Sequence, residues 1–507
     1  MNRITAKGYS GETGGRVIVL FLLFFLALYQ FYSMGLSGMA MICMVPASIL
    51  YAYFAFRYRM FTFWLMFIIN FFLHLIYRTV FISLPMSLPN EMFELLLIAI
   101  AIIDTKDNHF ERACNPMLFA IGVWCIFCTL EVFNDTCDIG IDLPGWFSGA
   151  RLMAYQMIYI YLVFVLYIST PERLLKYLRL WAGLCIFSVF WAWKQKTIGF
   201  TEGEKIFLES GALRTHFVGG IMRYFSSFSD AANFGCNMAI TSVAFYIFAI
   251  TSKIKTDKVL FLITALFTTW GMFSSGTRTA IFCMIIGFCV YIFLSKSFKI
   301  AIPVTIFFGL FIAMLAFTKI GHGNDQIRRM RTAFDPNDAS KSVRDVNKEA
   351  IRKYMKDAPW GIGIRTFENV PKNNKYYIMA IVPPDSEYVS IWLKTGVIGL
   401  TTFLICIAIM LGGACWIVYF KLKNRAVQGI GAGMCCMFAG MQVGAYGNQV
   451  LMQFPNGMIL FGGLAIVYAL PYIEPAFEEM EARKYALQEE KKRLKLEKKR
   501  ASRLSRV

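Results

Sequence analysis

Apolar runs near 20 residues recur from Gly15 to Pro471, and this repetition constrains the fold more than any other feature of the sequence. A helix of about 20 residues crosses a hydrocarbon core of about 30 Å with all its backbone hydrogen bonds made internally. Hydrophobic residues make up 57% of the 507 residues and charged residues only 16%, whereas soluble domains carry about 25% charged residues. The sequence therefore excludes a soluble globular enzyme and predicts an all-α polytopic membrane protein.

The apolar runs predict about 12–14 transmembrane helices. The run at 92–103 is short for a crossing, but leaving it out would invert the side of every later loop. The predicted spans lie near residues 16–34, 37–56, 60–82, 92–103, 116–133, 152–169, 179–195, 231–250, 259–274, 279–294, 300–318, 389–420, 428–446 and 451–470.

Lysine and arginine are distributed unevenly among the connections between these spans. The connections expected on the cytoplasmic side are rich in both, whereas the outer connection 83–91 has neither and 134–151 has only Arg151. Such an excess is typical of cytoplasmic loops. The pattern predicts cytoplasmic termini and two long loops on the outward side, 196–230 and 319–388. The first apolar run lacks a small-residue cleavage site, and we expect it to remain as an anchor.

The predicted organisation is a transmembrane domain, residues 1–475, which includes both long loops, followed by a basic tail, residues 476–507. The tail alternates acidic and basic blocks and is predicted to be a solvated cytoplasmic helix, which either anchors the topology or binds anionic lipid or an acidic partner. The formal net charge is +19. Because the bases lie in loops and in the tail, this charge indicates membrane topology and no nucleic-acid partner.

Arginines on the outward side are the first candidates for a binding function. Arg278 stands in a hydroxyl-rich turn between two predicted spans, and Arg223 precedes another span. Guanidinium groups bind phosphate oxygens in a bidentate manner, so an outward cluster suits a lipid-linked phosphate or diphosphate. The alternatives are a solvated basic loop and snorkelling to lipid headgroups. The long loop adds further arginines: Arg328, Arg329, Arg331, Arg344, Arg352 and Arg365.

Two carboxylates stand where the second long loop meets the next span. Asp385 and Glu387 follow the pair of prolines that ends the loop. Asp385 is well placed as the N-cap of the helix, with Glu387 in its first turn, and this structural role accounts for both residues. The alternative is catalytic: a carboxylate at the membrane surface takes a proton from a sugar hydroxyl.

The sequence contains no convincing metal-binding cluster. Cys125 and Cys128 form a CxxC motif inside a predicted span, where cysteines act as small hydrophobic residues. His74 shares a helix face with Arg78, which indicates an interface pair near a span end or, alternatively, a cavity lining. The four histidines are scattered over four segments: His74, His109, His216 and His322.

A series of short motifs contains these arginines and carboxylates in a fixed order. In order, spacing and common outward side they resemble the bacterial O-antigen ligase and polymerase superfamily, and the resemblance covers about residues 223–400. The motifs are Arg223, Phe228 to Asn233, Ser275 to Ala280, Ser342 to Arg344, Pro359 to Gly363, Phe367, Ser386 to Tyr388 and Leu393 to Leu400.

The resemblance implies a multi-pass glycosyltransferase of the bacterial inner membrane. Its donor would be a glycan on undecaprenyl diphosphate, transferred to an acceptor hydroxyl on a glycan without a metal, a cofactor or a nucleotide sugar. Arg278 matches the arginine after the Ser-rich turn and Arg344 the arginine of the long loop, both expected to hold the diphosphate. Arg223 and Arg365 are further candidates. A chain-length regulator or another polysaccharide assembly protein is an additional partner of this kind of enzyme.

Asp385 departs from the pattern, because ligases typically have a histidine there. An ordinary aspartate, with a pKa of about 4, is a weak base at neutral pH. We therefore expect a polymerase of O-antigen, capsule or exopolysaccharide, with Asp385 and Glu387 as catalytic candidates. An O-antigen ligase or a protein O-oligosaccharyltransferase of the same superfamily is the alternative. A transporter or flippase of lipid-linked sugars would bind the same diphosphate, but no internal repeat is apparent.

Overall fold

The chain divides into two compact units, residues 1–64 and 65–507, and every residue of the candidate site lies in the second. The predicted spans 16–34 and 37–56 fall mostly outside the residues that the structure describes. A computed structural model describes residues 21–22, 24–25, 28–29, 32, 49–80, 87–104, 110–295, 298–321, 323, 325–331, 339–364 and 370–504.

The described chain is almost entirely helical. Helices α1 to α6 are Arg59–Val80, Leu88–Ile103, Pro116–Leu130, Leu143–Ala150, Gln156–Tyr167 and Pro171–Thr197. Helices α7 to α12 are Glu202–Phe207, Leu213–His216, Ala231–Thr251, Lys255–Ser274, Arg278–Leu294 and Phe298–Phe317. Helices α13 to α18 are Asp325–Arg331, Ala339–Met355, Tyr377–Ile381, Glu387–Trp416, Arg425–Gly447 and Asn456–Leu504. Strands β1 (Phe217–Val218) and β2 (Ile221–Met222) form one short antiparallel hairpin.

Helices of membrane-spanning length recur through the described residues, so the predicted all-α polytopic class is confirmed. Helix α11 is apolar but shorter than these. In the part of the chain that the structure describes, eight segments are long and apolar enough to cross a membrane: Arg59–Thr79, Pro116–Phe133, Leu143–Tyr167, Pro171–Thr197, Ala231–Thr251, Glu387–Lys421, Arg425–Gly447 and Asn456–Lys484.

Several spans begin elsewhere than the sequence predicts; the span predicted at 179–195, for example, begins at Pro171. The span predicted at 152–169 begins nine residues earlier, at Leu143, because the side chain of Asp142 caps α4 by accepting a hydrogen bond from Gly145 N at 3.0 Å. A π-turn then joins α4 to α5. The last helix begins only at Asn456, and it continues without a break through the tail to Leu504.

Helices α9, α17 and the first half of α18 form the buried centre of the second unit. Helices α10 and α11 pack against α9, and α5 packs against α18. Glycine allows close packing at the centre: a Cβ added to Gly440 of α17 would lie 2.5 Å from the carbonyl oxygen of Cys283 on α11. Small residues at helix contacts are typical of membrane bundles.

Single cysteines test the predicted sides of the membrane. We expect an impermeant thiol reagent to label a cysteine at Asn373, an exposed position in the second long loop, in intact spheroplasts. A cysteine at Ser502, in the basic tail, should react only after permeabilisation. A background without the exposed thiols Cys114 and Cys289 keeps the signal specific. Labelling at 502 in intact spheroplasts, or none at 373, would contradict the layout.

Candidate functional site

The turn between α10 and α11, Ser275 to Arg278, lies at the centre of a group of arginines. Gly276 has a φ of +59°, which glycine adopts without strain. A Cβ at this position would lie 3.0 Å from Cδ of Arg329 and 3.3 Å from Cγ of Arg223, so the two side chains flank the turn. We call this arrangement, together with Arg278 at the start of α11, the arginine turn.

Arg223 holds the arginine turn to the preceding loop. Its Nη1 donates to Thr215 O at 2.9 Å, its Nη2 to Thr277 Oγ1 at 3.0 Å, and its Nε to Ser275 O at 3.3 Å. Burial, and then the nearby charge of Arg329, lower the pKa of Arg223 to about 10. The guanidinium stays protonated at neutral pH, and these three hydrogen bonds favour a positioning role, while diphosphate binding by Arg223 stays a prediction.

Arg329 is a member of the group that sequence reasoning did not select from the loop arginines. Its Nε donates to Gly276 O at 2.8 Å and its Nη1 to Val218 O at 3.0 Å. It thus joins α13 to both the turn and the β-hairpin. The only signal for it is the run Arg328, Arg329 and Arg331, and no local pattern distinguishes one of the three.

The N-terminus of α9 is connected to the same turn. Asp230 caps α9, because its Oδ1 accepts from Ala232 N at 2.7 Å and Asn233 N at 2.9 Å. Thr277 Oγ1 donates to Ala231 O at 2.7 Å. The cap therefore fixes the arginine turn against the buried centre of the unit.

A two-residue segment after α17 connects the arginine turn to the Asp385 region. Asn448 Nδ2 donates to Thr279 Oγ1 at 3.3 Å, and Thr279 directly follows Arg278. Gln449 Nε2 donates to Pro384 O, and Pro384 directly precedes Asp385. Thr279 and Pro384, the chain neighbours of Arg278 and Asp385, thus contact one short segment, although they are distant in the sequence.

Asp385 lines a cavity of about 460 Å³. Its side chain is exposed, and its Oδ2 accepts from Asn347 Nδ2 at 3.3 Å. Three aromatic side chains with polar tips, Tyr388, Trp392 and Tyr446, line part of the wall, as in many ligand pockets. The residues that line the cavity are Asp345, Asn347, Lys348, Ile351, Pro383, Pro384, Asp385, Ser386, Tyr388, Val389, Trp392, Leu400, Tyr446 and Gly447.

The prediction that Asp385 caps α16 is wrong. Ser386 is the N-cap, and its hydroxyl donates to Ala445 O at 3.1 Å, which ties the helix start to α17. Asp385 lies one residue before the cap, where its carboxylate points to Asn347 instead of to the first turn of the helix. Helix capping, the structural role that the sequence predicted for Asp385, therefore does not explain this residue.

Glu387 has a different environment from Asp385. It is buried, and its Oε2 accepts from Leu451 N at 3.1 Å. Residues 451–455 are non-helical and include the fully buried Leu451, so their backbone needs such partners. Glu387 is not among the residues that line the cavity. Its contacts therefore support a structural role, and Asp385 is the carboxylate that faces the cavity.

Two of the motifs that carry the family resemblance dock against each other. Ile362 N donates to Leu393 O at 3.0 Å, and Gly363 N donates to Lys394 O at 3.0 Å. Helix α16 is broken at Gly396, which has a φ of +67° and a ψ of −170°. The break exposes the backbone to which the segment 359–363 binds, and it holds the long loop over the membrane-spanning helices.

Gly396→Ala is expected to destabilise this docking. An alanine Cβ would lie 1.9 Å from Pro359 O, at a φ that L-residues rarely adopt. We expect a loss of at least about 2 kcal/mol, measured as a lower midpoint of thermal unfolding in detergent. Gly412→Ala in the same helix is the matched control, because nothing lies within 4 Å of its added Cβ. Equal midpoints for the two variants would contradict the docking.

His216 and Arg78 secure the first long loop. Nδ1 of His216 donates to Ala212 O at 2.8 Å, and its Nε2 accepts from Ala231 N at 3.3 Å. Burial lowers the pKa of His216, so the ring is neutral at pH 7. Arg78 donates to Phe228 O and lies 4.7 Å from the ring centroid of Phe225. These contacts favour the predicted interface role of Arg78.

Several predicted residues fall outside the described part of the chain. Arg365, His109 and His322 are not described, and Arg344 lies in α14 without a described side chain. Their predicted roles remain predictions. Within the residues that are described, no group of three His, Cys, Asp or Glu side chains is arranged to hold a metal ion.

Comparison with known families places the site in context. Residues 263–404 match the family model described as O-antigen ligase. The resemblance to the O-antigen ligase and polymerase superfamily is confirmed. The comparison with curated proteins gives no match. The O-antigen ligase segment contains Arg278, Arg329 and Asp385, whereas Arg223 and the segment 448–449 come from outside it.

Proposed function

We propose that the chain polymerises lipid-linked oligosaccharide repeat units on the periplasmic face of the bacterial inner membrane, by glycosyl transfer from undecaprenyl diphosphate. The observation that carries this proposal is the connection of the arginine turn, through Asn448 and Gln449, to the cavity that contains Asp385. Transfer of a glycan needs two adjoining binding sites. The donor diphosphate needs a cationic site, and the acceptor hydroxyl needs a site with a proton acceptor and aromatic side chains.

In the proposed reaction Arg278 binds the diphosphate of the donor, with Arg344 and Arg365 from the long loop as further ligands. Arg223 and Arg329 hold the turn that presents Arg278. An acceptor sugar lies in the cavity, and its hydroxyl oxygen forms the new bond to the anomeric carbon of the donor. The bond from that carbon to the diphosphate oxygen breaks, and Asp385 takes the hydroxyl proton.

Fixed arginines would accelerate this reaction because negative charge on the leaving diphosphate grows as its bond to the sugar breaks. A guanidinium that is already held in place stabilises this charge most in the transition state, where no reorganisation is needed. The part-buried hydrogen bonds of Arg223 and Arg329 would provide that rigidity. In this proposal the residues act without a metal ion or a nucleotide sugar.

A ligase of the same superfamily is the second candidate, and it is favoured by the family match, whose description is O-antigen ligase. A ligase would use the same diphosphate site with an acceptor other than a repeat unit on undecaprenyl diphosphate. The preference for a polymerase rests on Asp385, which stands where ligases typically have histidine. A transporter of lipid-linked sugars would need the arginine turn but not a proton acceptor in the cavity.

Deletion of the gene distinguishes these candidates through the glycans that accumulate. Loss of a polymerase should leave single repeat units attached to the final acceptor and no long chains. Loss of a ligase should leave long chains attached to undecaprenyl diphosphate. Loss of a flippase should leave single lipid-linked units on the cytoplasmic side. We expect the first pattern, read by mass spectrometry of extracted lipids and surface glycans, and either other pattern would overturn the proposal.

A further inference from the structure

A buried polar network lies between α1, α2 and the start of α5, and it shares no residue with the arginine turn or the Asp385 cavity. Asn70 Nδ2 donates to Asn90 Oδ1 at 2.9 Å, and Asn90 Nδ2 donates to Glu94 Oε1 at 2.7 Å. Gln156 Nε2 donates to Glu94 Oε2 at 2.7 Å. Glu94 is fully buried among the helices, where an ionisable side chain is costly and usually functional.

A second acid and one arginine complete the network. Glu91 lies one turn before Glu94 on α2, and its Oε2 accepts from Arg151 Nη1 at 3.1 Å. Tyr159 on α5 is the other titratable group that faces both acids. With both carboxylates ionised, the single guanidinium leaves one negative charge in excess. An uncompensated buried charge is strongly unfavourable.

The unpartnered atoms of the network show the same imbalance. Among the described residues, Asn70 Oδ1, Gln156 Oε1 and Glu91 Oε1 are buried acceptors without a hydrogen-bond partner. Asn70 is 1% exposed and Gln156 is 4% exposed. Each belongs to a side chain whose other polar atom is bonded within the network. Arg151 Nε is the only donor atom of the described network that is buried without a hydrogen-bond partner. The network therefore has more unpartnered acceptors than unpartnered donors.

We propose that this network binds one monovalent cation, either an alkali metal ion or a proton, inside the transmembrane domain. A single positive charge balances the two acids against Arg151. Carboxylate and amide oxygens are the ligands that hard cations take. The network precedes the O-antigen ligase segment, and the inference does not rest on the proposed glycosyl transfer.

Thermal unfolding of the purified protein in detergent tests the site, with tryptophan fluorescence as the readout. Sodium chloride replaces N-methyl-D-glucamine chloride at constant ionic strength and pH 8, and the pH is varied from 5.5 to 8.5 without sodium. An alkali site gives a midpoint that rises with sodium and saturates, because a ligand of the folded state stabilises it. A proton site gives no sodium effect and a midpoint that rises as the pH falls.

Substitutions in the network test whether the sodium or pH dependence of the unfolding midpoint comes from this network. Glu94→Gln and Glu91→Gln each remove the excess charge, so each should lose the dependence that the wild type shows. Glu202→Gln is the matched control, because Glu202 is an exposed acid whose partner is Lys205, and it should keep the dependence. A wild type that responds to neither sodium nor pH, or one whose response persists in Glu91→Gln, would overturn the site and leave a network satisfied by water.

Discussion

Arg278→Lys is expected to lower the yield of polymer by a factor of about 100 or more, while the protein level and its membrane insertion stay normal. Lysine keeps the charge but loses the planar fork that binds two phosphate oxygens together. Removal of one preorganised donor from a site of developing charge typically costs about 10²–10³ in turnover. The effect should appear in turnover of a lipid-linked repeat unit, measured with purified protein.

Two further substitutions serve as a second test and as a control for Arg278→Lys. Arg344→Lys should show a similar loss, because the resemblance assigns it to the same diphosphate. Arg214→Lys is the matched control: Arg214 is exposed on α8 and belongs to neither the arginine turn nor the cavity. Normal polymer from both Arg278→Lys and Arg344→Lys would show that bidentate phosphate binding is not the role of these arginines.

Asp385→Asn is expected to abolish turnover while the folded protein and its binding of the lipid donor are retained. Asparagine has nearly the shape of aspartate but cannot take a proton from the acceptor hydroxyl. The loss of a general base typically costs about 10²–10⁴ in rate. Because Asp385 lies before the N-cap position and its carboxylate faces Asn347 instead of the first turn of α16, the substitution should leave the helix start intact and the unfolding midpoint unchanged.

Glu387→Gln should behave in the opposite way. Its carboxylate accepts the backbone N–H of the buried Leu451, so we expect a lower unfolding midpoint and a smaller loss of turnover per folded molecule. Asp345→Asn, on an exposed acid that lines the same cavity, controls for a general effect of charge. Full activity of Asp385→Asn, of Glu387→Gln and of the double variant would remove catalysis from this segment.

The sequence was sufficient to predict the all-α polytopic class, because apolar runs must form helices in a membrane. It was also sufficient to name Arg278 and Asp385 as candidates, since both are charged residues beside spans. It was insufficient for Arg329, because three nearby arginines differ only in how the loop folds. The contact of Arg329 with Gly276 depends on a tertiary arrangement that no local pattern encodes.

The different environments of Asp385 and Glu387 also could not be predicted from the sequence. In the sequence both residues stand near the start of a helix, and the exact first residue of that helix determines which side chain occupies the N-cap position. A shift of one position gives that role to Ser386, leaves Asp385 in the cavity and buries Glu387 against residue 451. The contacts of Asn448 and Gln449, which connect the arginine turn to the Asp385 cavity, likewise could not be predicted from the sequence. They join segments that are distant in the chain.

Turnover by the purified protein in liposomes tests the proposed glycosyl transfer most directly. The donor is a single repeat unit on undecaprenyl diphosphate, with a chelator present and no nucleotide sugar. The proposal predicts a ladder of longer lipid-linked glycans with release of one undecaprenyl diphosphate for each bond formed, and no ladder with Asp385→Asn. A repeat unit that is bound or moved across the bilayer but never extended would contradict it.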